Sequence, residues 1–582
     1  MSERTRGLSR RAMMTATAGT LAGLAAACAK AQESETVASP DPTTASIAEA
    51  ERLAGVSFTE AEREQMLSDV NGRLAQLEAL RAVEKPNTLA PATVFDPRLP
   101  GVDYSLPENA RDGVHAPDDA MPDLPASEVD IAYAPLTHLA KWIGSGAISS
   151  RQLTEIYLKR IEAIAPTLEC MVTVLADRAR AEADAMDRER ADGKLRGPLH
   201  GIPYLVKDLF DAEGGPTTWG AEPWKERTGE GDSTVVRKLR DAGCVLLGKS
   251  ALGALAYGDI WFGGVTRNPF NPLEGSSGSS AGSASATAAG LCAYSIGTET
   301  LGSLVSPSNR CGTTALRPTF GRISRAGAMA LCWSLDKVGP ITRCVEDTAL
   351  VTAALNGHDA ADPASIGAPF SYDRRTDLKG LRLGHDPAWF EAGNEIDRAA
   401  LEAAGSLGAK EVEFRLPDLP YGVLVQQLLA EAAAAFEEMT LNDQDDLLAW
   451  QEDAAWPNSF RATRFLTAID LIQIDRLRRL AMQTLHEAFE GVDVVIGPNF
   501  ASGMLTPTNF TGHPCLAMRA GFLDSQPRTI FGGVENPDAP VSSVPQAISL
   551  WAPLFREGPM LAFGRALEQA LGVAEIRPPA FS

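Results

Sequence analysis

The sequence predicts an α/β fold in which a sheet is covered by helices, and three observations carry that prediction. From Ile131 onward strand-like and helix-like segments alternate to the end of the chain, the pattern of a sheet layered with helices. The composition is that of an ordinary globular chain, 45% hydrophobic and 22% charged over 582 residues, so there is ample material for a core. No internal repeat breaks the chain into small stacked units. At about 150 residues per domain, the length allows three or four domains or one very large domain with an appendage.

Residues 1–31 differ from everything that follows. Arg4, Arg6, Arg10 and Arg11 precede an Ala, Thr, Gly and Leu stretch that runs to Ala27 and Cys28. A positive start, a modestly apolar middle and small residues at the end make an export signal, which has no part in the fold. Arg10-Arg11 after Ser9 resembles a twin-arginine signal, which exports folded proteins, so the expected location is periplasmic or secreted. Lipidation of Cys28 is the alternative, because Leu24 to Cys28 loosely resembles a lipoprotein box with Ala25 where Leu is expected. No other stretch reaches the 18 or so apolar residues of a membrane span.

Residues 32–130 read as a linker, a helical appendage and an extended strap. A polar, Pro-containing linker at 32–44 leads into helical patterns at 46–54 and 59–83, the second with apolar positions at Met66, Val70, Leu74, Leu77 and Leu80. Residues 84–125 carry many prolines and acids without periodicity. Residues 131–582 then form the main domain. Its first helices fall at 136–143, 150–165 and 176–191. Residues 197–209 read as a turn feeding a strand, with Ile202, Leu205 and Val206 just before Lys207; a helix at 234–242 and a strand at 245–248 follow.

The 53 Lys plus Arg against 75 Asp plus Glu leave a formal charge of −22. That balance disfavours a nucleic-acid partner, which would require concentrated positive charge. Only 12 lysines occur and none follows Lys410, so a lysine inside an apolar stretch stands out. The eight cysteines include no C-x-x-C pair and no histidine spacing typical of zinc; scattered burial is the reading they support. The acidic tract at 443–446 reads as a solvated loop, and Asp208 as a supporting group bonded to backbone or an arginine.

Chemistry concentrates between Leu273 and Arg325. Residues 274–283 read EGSSGSSAGS and pass into a short helix at 284–291; GTETLGSLVSPS follows a short strand at 293–296. Such turns present hydroxyls and backbone N–H groups at a helix start. With GPLHGIPYLVKD at 197–208, the serine-rich run followed by Ala288-Ala289-Gly290, and GTETLGS at 297–303, the chain resembles the amidase signature family. The stretch from Cys311 to Leu350 continues the family pattern, and the likeness covers most of the chain after residue 130.

The resemblance implies a large, mostly parallel or mixed sheet with helices on both faces, and hydrolysis of a carboxylic amide without metal or cofactor. It implies Lys207 as base, Ser303 as nucleophile and Ser279 as the bridging serine, following a cis peptide after Gly278. Aligning backwards from Ala288 places the family's first paired serine on Ser279, 24 residues before Ser303; Ser276 would give 27, and Ser280 is held in reserve. A neutral lysine can take a proton only if burial lowers its pKa by several units, and the apolar strand before Lys207 is a source of that desolvation. Backbone N–H groups of Thr300, Leu301, Gly302 and Ser303 would hold the oxyanion, with Gly278 also on the substrate-binding side.

Leu301 replaces a family Gly, Glu299 an Asp, Ala281 a Gly, and Val305 the Arg usually found two residues after the nucleophile. These departures bear on substrate preference: Leu301 narrows the acyl side and Val305 removes a charge that could anchor a carboxylate. Three other readings stay open. GSSAG at 278–282 fits a nucleophile elbow with Ser280 and a histidine from His358, His385, His486 or His513, although NPFNPLEG offers no strand before it. The others are a glutamine-hydrolysing subunit of a tRNA amidotransferase and a non-catalytic amide-binding relative. The expected partner is a small-molecule amide; a homodimer is compatible with the resemblance, and membrane attachment would require lipidated Cys28. The pocket is expected to be closed by segments from 420–550.

Overall fold

A computed structural model describes residues 42–108, 110–116, 119–500 and 503–582. The segment 1–31, with its Arg10-Arg11 pair and Cys28, lies outside the described residues. No helix among the described residues is long and apolar enough to cross a membrane. The chain divides into two compact units, one ending at Glu84 and the other running from Lys85 to Ser582.

The first unit contains α1 (Thr44–Ala54) and α2 (Glu60–Arg81). Thr43 and Thr59 cap their N-termini, each in a reciprocal box with the residue three positions on. Each box satisfies two backbone donors that a helix start otherwise leaves without partners. Arg63 of α2 forms a two-pronged bond to Glu51 of α1, both contacts at 2.8 Å.

The second unit is built on one sheet. Its helices near the start are α3 (Leu136–Ser145), α4 (Ser150–Leu168) and α5 (Ala176–Ala191), close to the segments that periodicity predicts. The strands in chain order are β1 (Met171–Val174), β2 (Pro203–Lys207), β3 (Val245–Ser250), β4 (Tyr294–Glu299), β5 (Thr314–Arg317) and β6 (Lys337–Thr342). They continue with β7 (Arg382–His385), β8 (Lys410–Glu413), β9 (Val494–Pro498), β10 (Cys515–Ser525) and β11 (Ser542–Trp551). In space the order is β8-β7-β9-β11-β10-β5-β6-β4-β2-β3-β1. The sheet is mixed. β2 runs parallel to β3 and β4, and β7 parallel to β8 and β9, while the remaining pairings are antiparallel.

Every residue of β2 through β6 is buried. Because side chains alternate between faces along a strand, complete burial means that both faces are covered. One apolar cluster surrounds the β1 to β4 end, with Leu139, Tyr157, Leu205, Leu247 and Ile296; another surrounds the far end, with Leu383, Val495, Leu550 and Phe563. Between them lies a third, small-residue cluster of Ala284, Ala288, Leu304, Cys311, Ala315 and Ile341.

That middle cluster positions the serine-rich segment. Helix α7 (Ala281–Ala288) follows α6 (Thr234–Asp241), starts three residues earlier than predicted, and is buried at every position. Its alanines and serines are small enough to lie against the strands, and its hydroxyls satisfy strand neighbours. Ser283 bonds Ser250 at 2.8 Å, Ser285 donates to the Arg267 carbonyl at 2.7 Å and Thr287 meets Ser295 at 2.9 Å. The hydroxyls that read as a flexible run in sequence are therefore part of a packed, satisfied core.

The segment from residue 85 onward belongs to this larger unit, and one part of it is not irregular: Gly113–His115 pairs in parallel with Ser371–Asp373. The tract at 443–446 also departs from expectation, since Asp445 is fully buried and pairs with Arg461 at 2.8 Å. All seven described cysteines are free, and six of them are buried.

A buried ion pair locks the loop after β5 to the last helix, α11 (Glu557–Leu571), which follows α8 (Val305–Cys311), α9 (Val345–Leu355) and α10 (Ala468–Ala488). Arg322 donates to both Glu557 oxygens at 2.8 and 2.9 Å, and Glu557 also accepts the Thr319 N–H. Breaking a buried pair strands the remaining charge at a cost of about 3–5 kcal/mol, whereas replacing both partners by apolar side chains is often neutral. Glu557→Ala will therefore lower the thermal unfolding midpoint, and the Arg322→Met, Glu557→Leu double variant will recover most of that loss in calorimetry.

Candidate active site

Lys207 is the last residue of β2 and is completely buried. Its Nζ lies 2.8 Å from Ser279 Oγ, 2.9 Å from Thr298 Oγ1 and 3.2 Å from Ser280 Oγ. All three neighbours are hydroxyls. With no carboxylate in contact, burial dominates and pushes the amine down from 10.5 to about 7, against the pull of Asp336 and Glu299.

Ser279 and Ser280 sit between a short ribbon and α7, and the Gly278–Ser279 peptide is cis. The two serines have different surroundings. Ser280 Oγ donates to the Thr298 carbonyl at 3.0 Å and accepts the Thr298 N–H at 3.2 Å, so its hydroxyl is held by the β4 backbone. Ser276 donates to the Ser277 carbonyl, and Ser277 meets Ser306 at 2.7 Å. Ser279 has only Lys207 among these contacts. Gly278 owes its identity to close approach, because a Cβ there would stand 1.8 Å from the Gly258 carbonyl oxygen.

Ser303 lies in the turn from β4 into α8, and its carbonyl accepts the Ser280 N–H at 3.2 Å. This bond and the Ser277–Ser306 contact hold the serine-rich segment against the turn. Gly302 has φ 95°, a conformation that side-chain-bearing residues rarely adopt. Leu301 is half-buried and packs on the larger apolar cluster. Thr300 donates its hydroxyl to Asp336 at 2.6 Å.

Glu299 shapes the turn. One carboxylate oxygen accepts the N–H groups of Leu304 and Val305 at 2.9 and 3.1 Å; the other accepts from Arg317 at 2.7 Å and Asn509 at 2.9 Å. Burial opposes ionisation of Glu299, but the Arg317 guanidinium and these hydrogen bonds outweigh it and hold the carboxyl at about 2. The N–H groups of Leu304 and Val305 are thereby committed, while those of Leu301, Gly302 and Ser303 have no acceptor among the described residues. The anchor that Val305 cannot supply comes from Arg317, on the neighbouring strand β5.

Asp208 bonds backbone as expected, accepting the Thr218 N–H at 2.9 Å as well as the Thr218 hydroxyl, and its charged partner is buried Lys249 at 2.6 Å, not an arginine. The nucleophile-elbow reading also changes in detail: Asn271–Gly275 is a strand, but in a two-stranded ribbon with Arg267–Asn268, outside the main sheet. No histidine reaches Ser280. His358 bonds Ser365, His385 faces Glu411, and His513 bonds Thr511 at 2.7 Å while stacking on Phe489.

A cavity of about 640 Å³ has Thr298 and Thr300 in its lining; Lys207, Ser279 and Ser303 do not line it, and Thr298, 2.9 Å from Lys207 Nζ, joins it to the buried amine. Its walls come from residues 209–237, 325–338 and 361–363, and from Pro86, Asn87, Thr88 and Ala90. None of the described residues from 420–550 lines it, although Phe500 and Leu505 stand near Gly302. Sequence reasoning missed Thr298, Asp336, Lys337 and this N-terminal wall. Lys337 was within reach of the same signal as Lys207, a rare lysine next to apolar residues. Burial and then Arg317 push its amine down to about 7, with Glu299 and Asp336 opposing.

A family model described as Amidase matches residues 152–523. An amidase of Pseudomonas putida is 36% identical over 379 residues, covering 62% of this chain and 78% of that protein. One component of the glutamyl-tRNA(Gln) amidotransferase of Oleidesulfovibrio alaskensis is 30% identical over 492 residues, covering 75% of this chain and 97% of that protein. The solved structure of native peptide amidase from Stenotrophomonas maltophilia superposes with a TM-score of 0.66 at 28% identity, covering 78% of this chain and 100% of that one.

Proposed function

The chain belongs to the amidase family and hydrolyses carboxylic amides; from that premise we propose that Ser303 attacks the amide carbonyl, Ser279 relays its proton and Lys207 receives it. The observation that carries the assignment is the buried Lys207 amine, 2.8 Å from Ser279 and surrounded only by hydroxyls. As the Ser303 Oγ to carbonyl carbon bond forms, the Ser303 proton passes to Ser279 Oγ and the Ser279 proton to Lys207 Nζ. The carbonyl oxygen gains the negative charge and is held by the N–H groups of Leu301, Gly302 and Ser303, each such donor being worth about 3 kcal/mol. Collapse breaks the C–N bond, the departing nitrogen takes the proton back through the same relay, and water then cleaves the Ser303 ester to the carboxylate. Thr300 supports the turn through Asp336, and Gly278 lets the Ser279 segment lie against the Gly258 carbonyl.

The cavity favours a neutral amide carrying a compact apolar group. Leu209, Trp219, Met329 and Leu331 line it, and the pairs Asp211 with Arg227 and Arg325 with Asp362 neutralise much of its rim. Its volume is within the usual range for small-ligand pockets.

Replacement of Ser303, Ser279 or Lys207 by Ala will each reduce kcat/KM by at least about a thousandfold, and Ser303→Ala will abolish labelling by a fluorophosphonate. Ser280→Ala, which removes a backbone contact, will cost about 1–3 kcal/mol of stability and far less activity. Retained activity in Lys207→Ala would overturn the assignment.

The pH dependence has a defined sign. Only neutral Lys207 accepts a proton, and its pKa lies at about 7. Below that value kcat/KM will fall about tenfold per pH unit, and above it the profile will level off.

We also propose that the protein is exported. Support comes from the arginine-rich start, the Arg10-Arg11 pair and the small residues before Cys28. In bacterial fractionation the wild-type chain will appear in the periplasm, and Arg10→Lys, Arg11→Lys will remain in the cytoplasm. Palmitate incorporation that disappears in Cys28→Ser would establish a lipid anchor.

A further inference from the structure

The cavity that Thr298 lines has a wall drawn from outside the region that the family model matches. Pro86, Asn87, Thr88 and Ala90 line the same cavity as Thr298, whose hydroxyl contacts Lys207, yet the match begins only at residue 152. Resting on the amide-hydrolysis reading above, we propose that the 86–90 segment is a specificity-determining wall that limits the size of the amide admitted, with Asn87 as its positioning residue.

The segment is built to stay in place. The Asn87 side-chain amide pairs with the Ala330 peptide as a second backbone would: Nδ2 donates to the Ala330 carbonyl at 2.8 Å, and Oδ1 accepts the Ala330 N–H at 2.7 Å. The Asn87 carbonyl accepts the Trp333 indole N–H at 3.2 Å, and a turn closes with Leu89 N–H donating to the Pro86 carbonyl at 2.8 Å. Ala330 and Trp333 themselves line the cavity, so these bonds join two of its walls directly. Further along, Phe95 packs edge-on against Phe320 with centroids 5.0 Å apart, beneath the Arg478 guanidinium at 3.4 Å. The wall is thus pinned at residue 87 and again at residue 95.

The side-chain chemistry is selective. Asn both donates and accepts at the required spacing. Ala does neither, and leaves the Ala330 N–H without its acceptor. Asn87→Ala should therefore release the wall outward. Ala90, half-buried in the same lining, offers the opposite change, since Trp in its place would fill cavity space.

The test uses the full chain and two ladders of amides, one enlarging the acyl group from butyramide through benzamide to 2-naphthamide, the other the amine from acetamide through acetanilide to N-(2-naphthyl)acetamide. The quantity read is the kcat/KM of the largest member divided by that of the smallest. On at least one ladder Asn87→Ala should raise this ratio tenfold or more, and Ala90→Trp should lower it tenfold or more. Ratios within twofold of wild type in both variants would overturn the wall, including the case where activity falls equally on every amide. If wild type hydrolyses the ladders with Ser303 dependence while the ratios stay flat, the wall alone fails. If no Ser303-dependent hydrolysis occurs on any member, the catalytic reading fails and the wall with it.

Discussion

An amine placed out of reach of water and with no carboxylate in contact is the constraint on which the rest of this site depends. Lys207 ends a strand whose every residue is buried, in a sheet covered on both faces. Removing an ammonium from water is costly, and the usual remedy is an opposing carboxylate. Here the neighbours are Ser279, Ser280 and Thr298, which accept hydrogen bonds without carrying charge. The fold supplies them by packing an Ala and Ser helix against the sheet. A bulkier helix would hold the serines away from the strand end, and a more exposed one would admit water and restore the charge.

The negative charges that might have reached Lys207 are committed elsewhere. Glu299, adjacent in sequence to Thr298, is turned toward Arg317, Asn509 and the first backbone donors after the nucleophile turn. Asp336 takes the Thr300 hydroxyl and the N–H groups of Leu331 and Cys332. Asp208, next in sequence to Lys207, points to Lys249. Each carboxylate stabilises a turn or a buried cation, and their distribution leaves the Lys207 amine in contact with hydroxyls alone. The loss of an arginine at Val305 is tolerable on these terms, because Arg317 reaches the same carboxylate from β5.

How much of this was legible in the sequence follows from what is local. Lys207, Ser279 and Ser303 lie in segments where strand, turn and helix-start signals are contiguous, and the helices at 136, 150 and 176 follow from periodicity within single segments. The contribution of Asn87 was not legible, because its partners at Ala330 and Trp333 are more than 240 residues away and the strap has no period to mark it. Thr298 reads in sequence as part of the turn after 293–296, whereas β4 runs on through it to Glu299; Asp445 reads as solvated because its four-residue context is acidic, and burial beside Arg461 is a tertiary fact. The pocket walls were sought in 420–550, but those at 227–237 and 325–333 owe their position to the loops after β2 and β5.

Two buried lysines stand near this cavity, and their neighbours explain why one of them is suited to proton transfer. Lys207 and Lys337 are both stripped of water, and both have amines brought to about 7. Lys337, on β6 opposite Glu299, meets the carbonyl oxygens of Leu335 and Thr300. Carbonyl oxygens accept hydrogen bonds but have no proton to give, so they stabilise the ammonium and end the path there. The hydroxyls around Lys207 do both, since a serine can accept one proton while releasing another. Burial lowers the pKa of both lysines, with Arg317 adding to it at Lys337, but only the one joined to Ser279 lies on the proposed route by which a proton leaves the attacking oxygen and returns to the departing nitrogen. Proton-exchangeable neighbours, more than the pKa itself, separate the proposed base from the second buried amine.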